Sequence, residues 1–113
     1  MTASSQFGLV LVTAGSETEA QNIASSLLDD RLAACVTYHS VQSIYRWQGA
    51  LQHDTEYQLV IKTELTYFKQ IAKLVTQSHS YELPEIIAVP IVRSTEQYGE
   101  WIGQQINQNR ELE

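Results

Sequence analysis

The sequence predicts a single α+β domain: a four-stranded antiparallel sheet with two main helices on one face. Three observations predict it. Strand-like and helix-like segments follow in the order β-α-β-(hairpin)-β-α-β-α, which reads as two split β-α-β units. Residues 56–63 alternate cleanly, with Tyr57, Leu59 and Ile61 on one face and Gln58, Val60 and Lys62 on the other, the pattern of a half-buried strand. Pro90, in the last strand, cannot donate to a ladder, so that strand is expected at an edge. With the first and third strands central, this is a ferredoxin-like β-α-β-β-α-β sandwich with an extended β-hairpin and a C-terminal helix.

The first strand is predicted over Leu9, Val10, Leu11 and Val12, bounded by Ala14-Gly15. Ser16 and Glu19 have the S-x-x-E spacing of a capping box. Behind it, Ala20, Ile23, Ala24, Leu27 and Leu28 recur at helical spacing, and Asp29, Asp30 and Arg31 close the helix. Residues 32–36 open a second strand that runs less regularly to Val41. Ile44, Tyr45, Arg46 and Trp47 predict more strand, Gln48-Gly49 a turn, and Ala50-Leu51 the return. Asp54-Thr55 predicts a further break. Thr66 is expected to cap a second helix that turns Phe68, Ile71, Ala72 and Val75 inward. That helix ends before Pro84, because the residue preceding proline avoids helical geometry. Residues 85–92 form the fourth strand. Ser94 with Gln97 is expected to cap a third helix with Tyr98, Trp101, Ile102 and Ile106 inward.

The chain has 113 residues, enough for one domain with its own core. We expect that domain at residues 7–107, between tails at 1–6 and 108–113. Seven Lys and Arg against 13 Asp and Glu leave a net charge of −6. An acidic surface repels phosphate backbones and disfavours nucleic acid as a partner, while leaving room for cations. A single cysteine fits a reducing compartment. No leader and no apolar run approaching a membrane span of ~20 residues is seen, so a cytoplasmic protein without membrane partners is expected.

The predicted sheet leaves apolar surface uncovered. Val60, with Val36 and Tyr38, is assigned to the face without helices. The hairpin carries Tyr45, Trp47 and Leu51, too much apolar surface for a free arm. An isolated two-stranded ribbon is marginal in water, and open edges invite pairing. Packing of chain copies through the hairpin and the edge marked by Pro90 answers both problems.

Chemistry-bearing motifs are few. There is no phosphate-binding glycine loop, no C-x-x-C and no H-E-x-x-H, and no nucleophile with its base is apparent. No catalysis and no organic cofactor are therefore expected. Cys35 reads as a small buried hydrophobe or a soft metal ligand. His39 and His53 read as surface or interface residues. His79 heads the stretch His79-Ser80-Tyr81-Glu82-Leu83-Pro84-Glu85, which joins an imidazole, a phenol and two carboxylates. It reads either as a helix terminator or as a donor acting with Glu82 and Glu85. Lys62 either snorkels at the sheet margin or, with Tyr81, attracts an anion in a cleft between subunits. Glu17, Glu19, Asp29 and Asp30 read as a solvated helix face.

Four motifs together resemble the CutA divalent-ion tolerance family: Leu32-Ala33-Ala34-Cys35-Val36, Ser43-Ile44-Tyr45-Arg46-Trp47-Gln48-Gly49, Ile61-Lys62-Thr63, and residues 79–87. The likeness runs in order from about Leu9 to Ile102. It implies a ferredoxin-like subunit, a homotrimer, whose interface the hairpin and edge-strand argument places at Tyr45, Trp47, Leu51 and Pro90, and a link to tolerance of divalent metals, especially copper. Cu(II) or another divalent cation is then expected to bind weakly at His79, Glu82, Glu85 and Cys35. The sequence departs from the family at Ser80, where proline is usual. It departs again at Val12 and Ser78, where some members carry a cysteine and a second histidine as copper ligands. A trimeric signalling module of the PII type, holding a small anion between subunits, is the alternative.

Overall fold

The computed structural model describes residues 6–106; apart from Gln6, the expected tails lie outside them. In chain order come β1 (Phe7–Ala14), α1 (Glu17–Asp29), β2 (Cys35–Trp47), β3 (Ala50–Glu64), a short 3-10 helix (Leu65–Tyr67), α2 (Phe68–Ser78), β4 (Ile86–Pro90) and α3 (Glu96–Gln105). The sheet order is β2-β3-β1-β4 with every neighbouring pair antiparallel. β1 and β3 are central. β4 is an edge strand whose last residue is Pro90, where a missing N–H does least harm.

The core lies between the sheet and the two main helices. Val10, Val12 and Ala14 of β1 and Leu59 and Ile61 of β3 meet Ala20, Ile23 and Leu27 of α1 and Ile71 and Val75 of α2. The ladder corrects one expectation. Val36 stands opposite Ile61 and Tyr38 opposite Leu59, so both face the helices, and both pack on the core. The other face carries Leu9, Leu11 and Val60, with Ile87 and Val89 exposed at its edge. Ile102 of α3 and Ile106, just past its end, pack with Ala34, Phe7 and Ile91. Tyr98 and Trp101, expected inward, are exposed instead, their rings 5.4 Å apart.

Helix ends follow local chemistry. Ser16 Oγ accepts from Glu19 N–H at 3.1 Å, half of a capping box. Glu19 does not return to Ser16; its Oε1 accepts from Gly15 N–H instead, at 3.0 Å. α1 ends in a Schellman motif, Arg31 N–H to Leu28 and Leu32 N–H to Leu27, with Arg31 at φ 56°. Thr95, not Ser94, caps α3 by accepting from Tyr98 N–H. Thr66 is not a cap; it lies within the 3-10 helix, and α2 starts without a side-chain cap.

The expected break at Asp54-Thr55 is absent. β2 and β3 form one ladder from Trp47↔Ala50 to Cys35↔Lys62. The two polar residues are held across the strands: Tyr45 donates to Asp54, and Thr55 Oγ1 to Gln42 Oε1. Gln48 and Gly49, at φ 51° and 81°, make the two-residue turn whose twist suits a hairpin. β1 reaches β3 only from Tyr57 onward, so residues 41–56 project as a two-stranded ribbon. The molecule is 49 Å long with a radius of gyration of 15.0 Å, against about 13 Å for a compact chain of this size.

Candidate functional site

Where the ribbon leaves the sheet, the segment after α2 crosses the end of β1. α2 stops at Ser78 because His79 takes an extended conformation, which turns its ring into the protein. The His79 side chain is fully buried. Tyr81 N–H donates to its Nδ1 at 3.0 Å, so that nitrogen carries no proton. The proton is on Nε2, which donates to the carbonyl of Thr13 at 2.7 Å. Both ring nitrogens are thus engaged within the chain, and the lone pair is already used.

Glu19 anchors the same segment. Its carboxylate accepts from Ser80 N–H at 2.7 Å and Ser80 Oγ at 3.0 Å, and lies 3.7 Å from His79 Nδ1. Burial raises the Glu19 carboxyl, but the hydrogen bonds from Gly15 N–H and from Ser80 N–H and Oγ outweigh it and leave it below its ordinary value. The expectation of a solvated face fails at this residue. A sequence reading had no signal for it, since the partners are 61 residues away.

Tyr81 crosses to the ribbon. Its hydroxyl donates to Glu56 Oε2 at 2.8 Å, and its ring lies 4.7 Å from that of His79. Burial and the Glu56 carboxylate push the phenol's ionisation far up. Gly15 makes room: a Cβ there would sit 3.2 Å from the Tyr81 ring. Tyr45, hydrogen-bonded to Asp54, is raised to about 12, chiefly by that bond.

Tyr81, Glu56, Tyr45 and Asp54 line a groove of about 690 Å³ between the ribbon and the segment 81–85. Its walls carry Tyr45, Trp47, Ile44 and Leu83; its charges are Asp54, Glu56, Glu82, Glu85 and Arg46. Glu56 is 6% exposed. Glu85 accepts from Gln58 Nε2 at 3.2 Å.

The residues expected as one metal set are divided. Glu82 and Glu85 line the groove, and His79 lies beneath its wall with no free nitrogen. Cys35 is elsewhere, half-buried on the face away from the two main helices, with Lys62 Nζ donating to its Sγ at 4.0 Å. Among the described residues no three His, Cys, Asp or Glu converge to hold a metal ion. Lys62 and Tyr81 are also separated within one chain. Tyr81 binds Glu56, six residues along β3 from Lys62, or roughly 20 Å of extended strand. His39 and His53 are exposed, while Tyr45, Trp47 and Leu51 line the ribbon, partly exposed. Glu19, Glu56 and Thr13 were not foreseen. Only the even spacing of Asp54 and Glu56, which puts them on one strand face, could have signalled the acidic wall.

Residues 8–105 match the family model described as CutA1 divalent ion tolerance protein. The chain is 41% identical over 95 residues to a Thermus thermophilus protein named divalent-cation tolerance protein CutA, covering 83% of this chain and 92% of that one. It is similar to the structure of the periplasmic divalent cation tolerance protein CutA from Archaeoglobus fulgidus, at 34% identity and TM-score 0.88 over 89% of this chain and 99% of that one. It is also similar to the crystal structure of CutA1 from Oryza sativa, at 32% identity and TM-score 0.88 over 91% and 95%.

Proposed function

The chain belongs to the CutA1 divalent-ion tolerance family, and from that premise we propose that it serves divalent-cation tolerance by holding cations weakly at the carboxylates of its groove. The observation that carries this reading is that Asp54, Glu56, Glu82 and Glu85 all line one groove, spread along it rather than gathered into a closed metal site. The net charge of −6 raises the local cation concentration. Carboxylate oxygens suit hard and borderline divalent ions. His79 supports the segment that carries Glu82 and Glu85 rather than donating to the ion, since its lone pair is taken by Tyr81 N–H. Copper, which favours imidazole and thiolate, is the less suited metal. Cys35, beside Lys62, is a soft donor apart from the groove.

The working unit in this proposal is a cytoplasmic homotrimer. The ribbon's exposed Ile44, Tyr45, Trp47 and Leu51 support assembly, and a lone cysteine suits a reducing compartment. No helix among the described residues is long and apolar enough to cross a membrane. No catalytic step is assigned; the relatives are named for tolerance. The rival reading, an anion held by Lys62 and Tyr81, has less support, because the Tyr81 phenol faces a carboxylate.

Calorimetric titration with Mn(II), Zn(II) and Cu(II) tests the proposal. Paired Glu82→Gln and Glu85→Gln substitutions should remove most of the Mn(II) and Zn(II) binding, and Cys35→Ser should leave it. Unchanged binding in the paired variant would move the site away from the groove.

A further inference from the structure

The His79 imidazole stands between two neighbours of opposite character. Tyr81 N–H donates to Nδ1 at 3.0 Å, and the Glu19 carboxylate oxygen Oε2 lies 3.7 Å from the same atom. Nε2 already carries its proton and donates it to the Thr13 carbonyl at 2.7 Å. A second proton can therefore enter only at Nδ1. Bare, Nδ1 accepts from Tyr81. Protonated, it is a donor, and two N–H groups would face each other across 3.0 Å.

The surroundings offer the protonated ring an exchange of partners. Its side chain is fully buried, and a buried charge needs a counter-ion. Glu19 of α1 supplies one. Its carboxyl ionises below its ordinary value, so it is an anion wherever an imidazole titrates. The other polar groups around the ring are the Thr13 carbonyl from β1, Ser80 and Tyr81 on its own segment, and Glu56 of β3 behind the Tyr81 phenol. The Tyr81 ring, 4.7 Å away, suits a cation as well as a neutral ring, because an aromatic face attracts positive charge. Glu19 Oε2 also accepts from Ser80 N–H at 2.7 Å, and an imidazolium draws that oxygen toward itself. One proton thus acts on two backbone ties of the segment, at Ser80 and at Tyr81.

We propose that His79 is an acid-operated latch on one wall of the groove. A proton from solvent adds to Nδ1, the imidazolium donates to Glu19, and Tyr81 N–H is released. The backbone after it, which carries Glu82, Leu83 and Glu85 along the groove, is fixed while the ring is neutral and loosened when the ring is charged. The Nε2–H bond to Thr13 is kept in both states, so the ring stays in place as a pivot. The latch operates whatever the groove holds.

The test is nitrogen-15 magnetic resonance of the full-length chain from pH 8 to pH 5, across the ordinary imidazole range. The His79 ring signals should show Nδ1 passing from bare to protonated while the chain stays folded. Over the same span the Tyr81 amide should lose about tenfold of its protection from hydrogen exchange, after correction for the intrinsic rate. The core amides of Val10 and Leu59 should keep theirs. Glu19→Gln retains an oxygen for Ser80 but removes the counter-ion, and should move the midpoint about one unit toward acid. His79→Gln should make Tyr81 protection independent of pH; should that variant not fold, the ring signals of the wild type decide. Nδ1 left bare until the whole chain unfolds would overturn the inference. So would a protonated ring with Tyr81 protection unchanged, or an unmoved midpoint in a folded Glu19→Gln variant.

Discussion

His79 Nε2 donates to the carbonyl oxygen of Thr13 at 2.7 Å, tying the end of β1 to the segment that leaves α2. A histidine that looks available in the sequence is a structural pin in the fold. His79→Ala leaves that carbonyl and the Tyr81 N–H without their partner and opens a cavity. It should cost about 2–4 kcal/mol of stability, measured by urea denaturation. Cation affinity at the groove should fall less than in Glu82→Gln. A variant of wild-type stability with cation binding abolished would restore His79 as a ligand.

Glu19 makes the acid limb of stability specific. Its folded-state carboxyl titrates below its ordinary value, so the stability it contributes is complete above the unfolded carboxylate range. That contribution is lost as pH falls through the lowered value. Glu19→Gln should therefore destabilise at neutral pH and flatten the decline in stability as pH falls below the ordinary carboxylate range. Denaturation midpoints across that window check it, and an unchanged slope would remove Glu19 from the account.

Tyr45 should titrate late. Its phenol, held by Asp54, ionises at about 12 against ~10 for a free tyrosine. The bond's contribution is present below the unfolded value and disappears as pH rises through the folded one. Ultraviolet titration of Asp54→Asn against wild type should show one phenol returning toward ~10.

Trp47 ends a ribbon that no third strand supports. If copies of the chain cover it, Trp47→Ala should weaken assembly by at least about tenfold while the subunit's far-ultraviolet spectrum is kept. Sedimentation across a concentration series measures this. Identical mass at every concentration, before and after substitution, would make Trp47 an ordinary surface residue.

The hairpin turn can be improved. Gln48 has φ 51° and Gly49 φ 81°. Asn adopts positive φ more readily than Gln, and Asn-Gly is a preferred pair for this turn. Gln48→Asn should stabilise by about 0.5 kcal/mol, seen as a raised melting temperature. Gly49→Ala should do the reverse.

The sequence by itself determined the elements that depend on near neighbours. The apolar spacing of Ala20, Ile23 and Leu27 makes α1 amphipathic wherever it packs. Alternation through Leu59 and Ile61 fixes which face of β3 is buried, and Pro90 confines β4 to an edge. The four motifs carried the family as well. Tertiary structure alone decided the rest. The face of Val36 and Tyr38 depends on register against Ile61 and Leu59, and a strand's side chains change face with a shift of one residue. The Asp54-Thr55 break vanished because partners on β2 make polar residues acceptable in a strand. Folding joins Glu56 to Tyr81 across 25 residues and Glu19 to Ser80 across 61. Whether a carboxylate or an imidazole is free depends on what folding brings within hydrogen-bond reach, and sequence spacing carries no record of that distance.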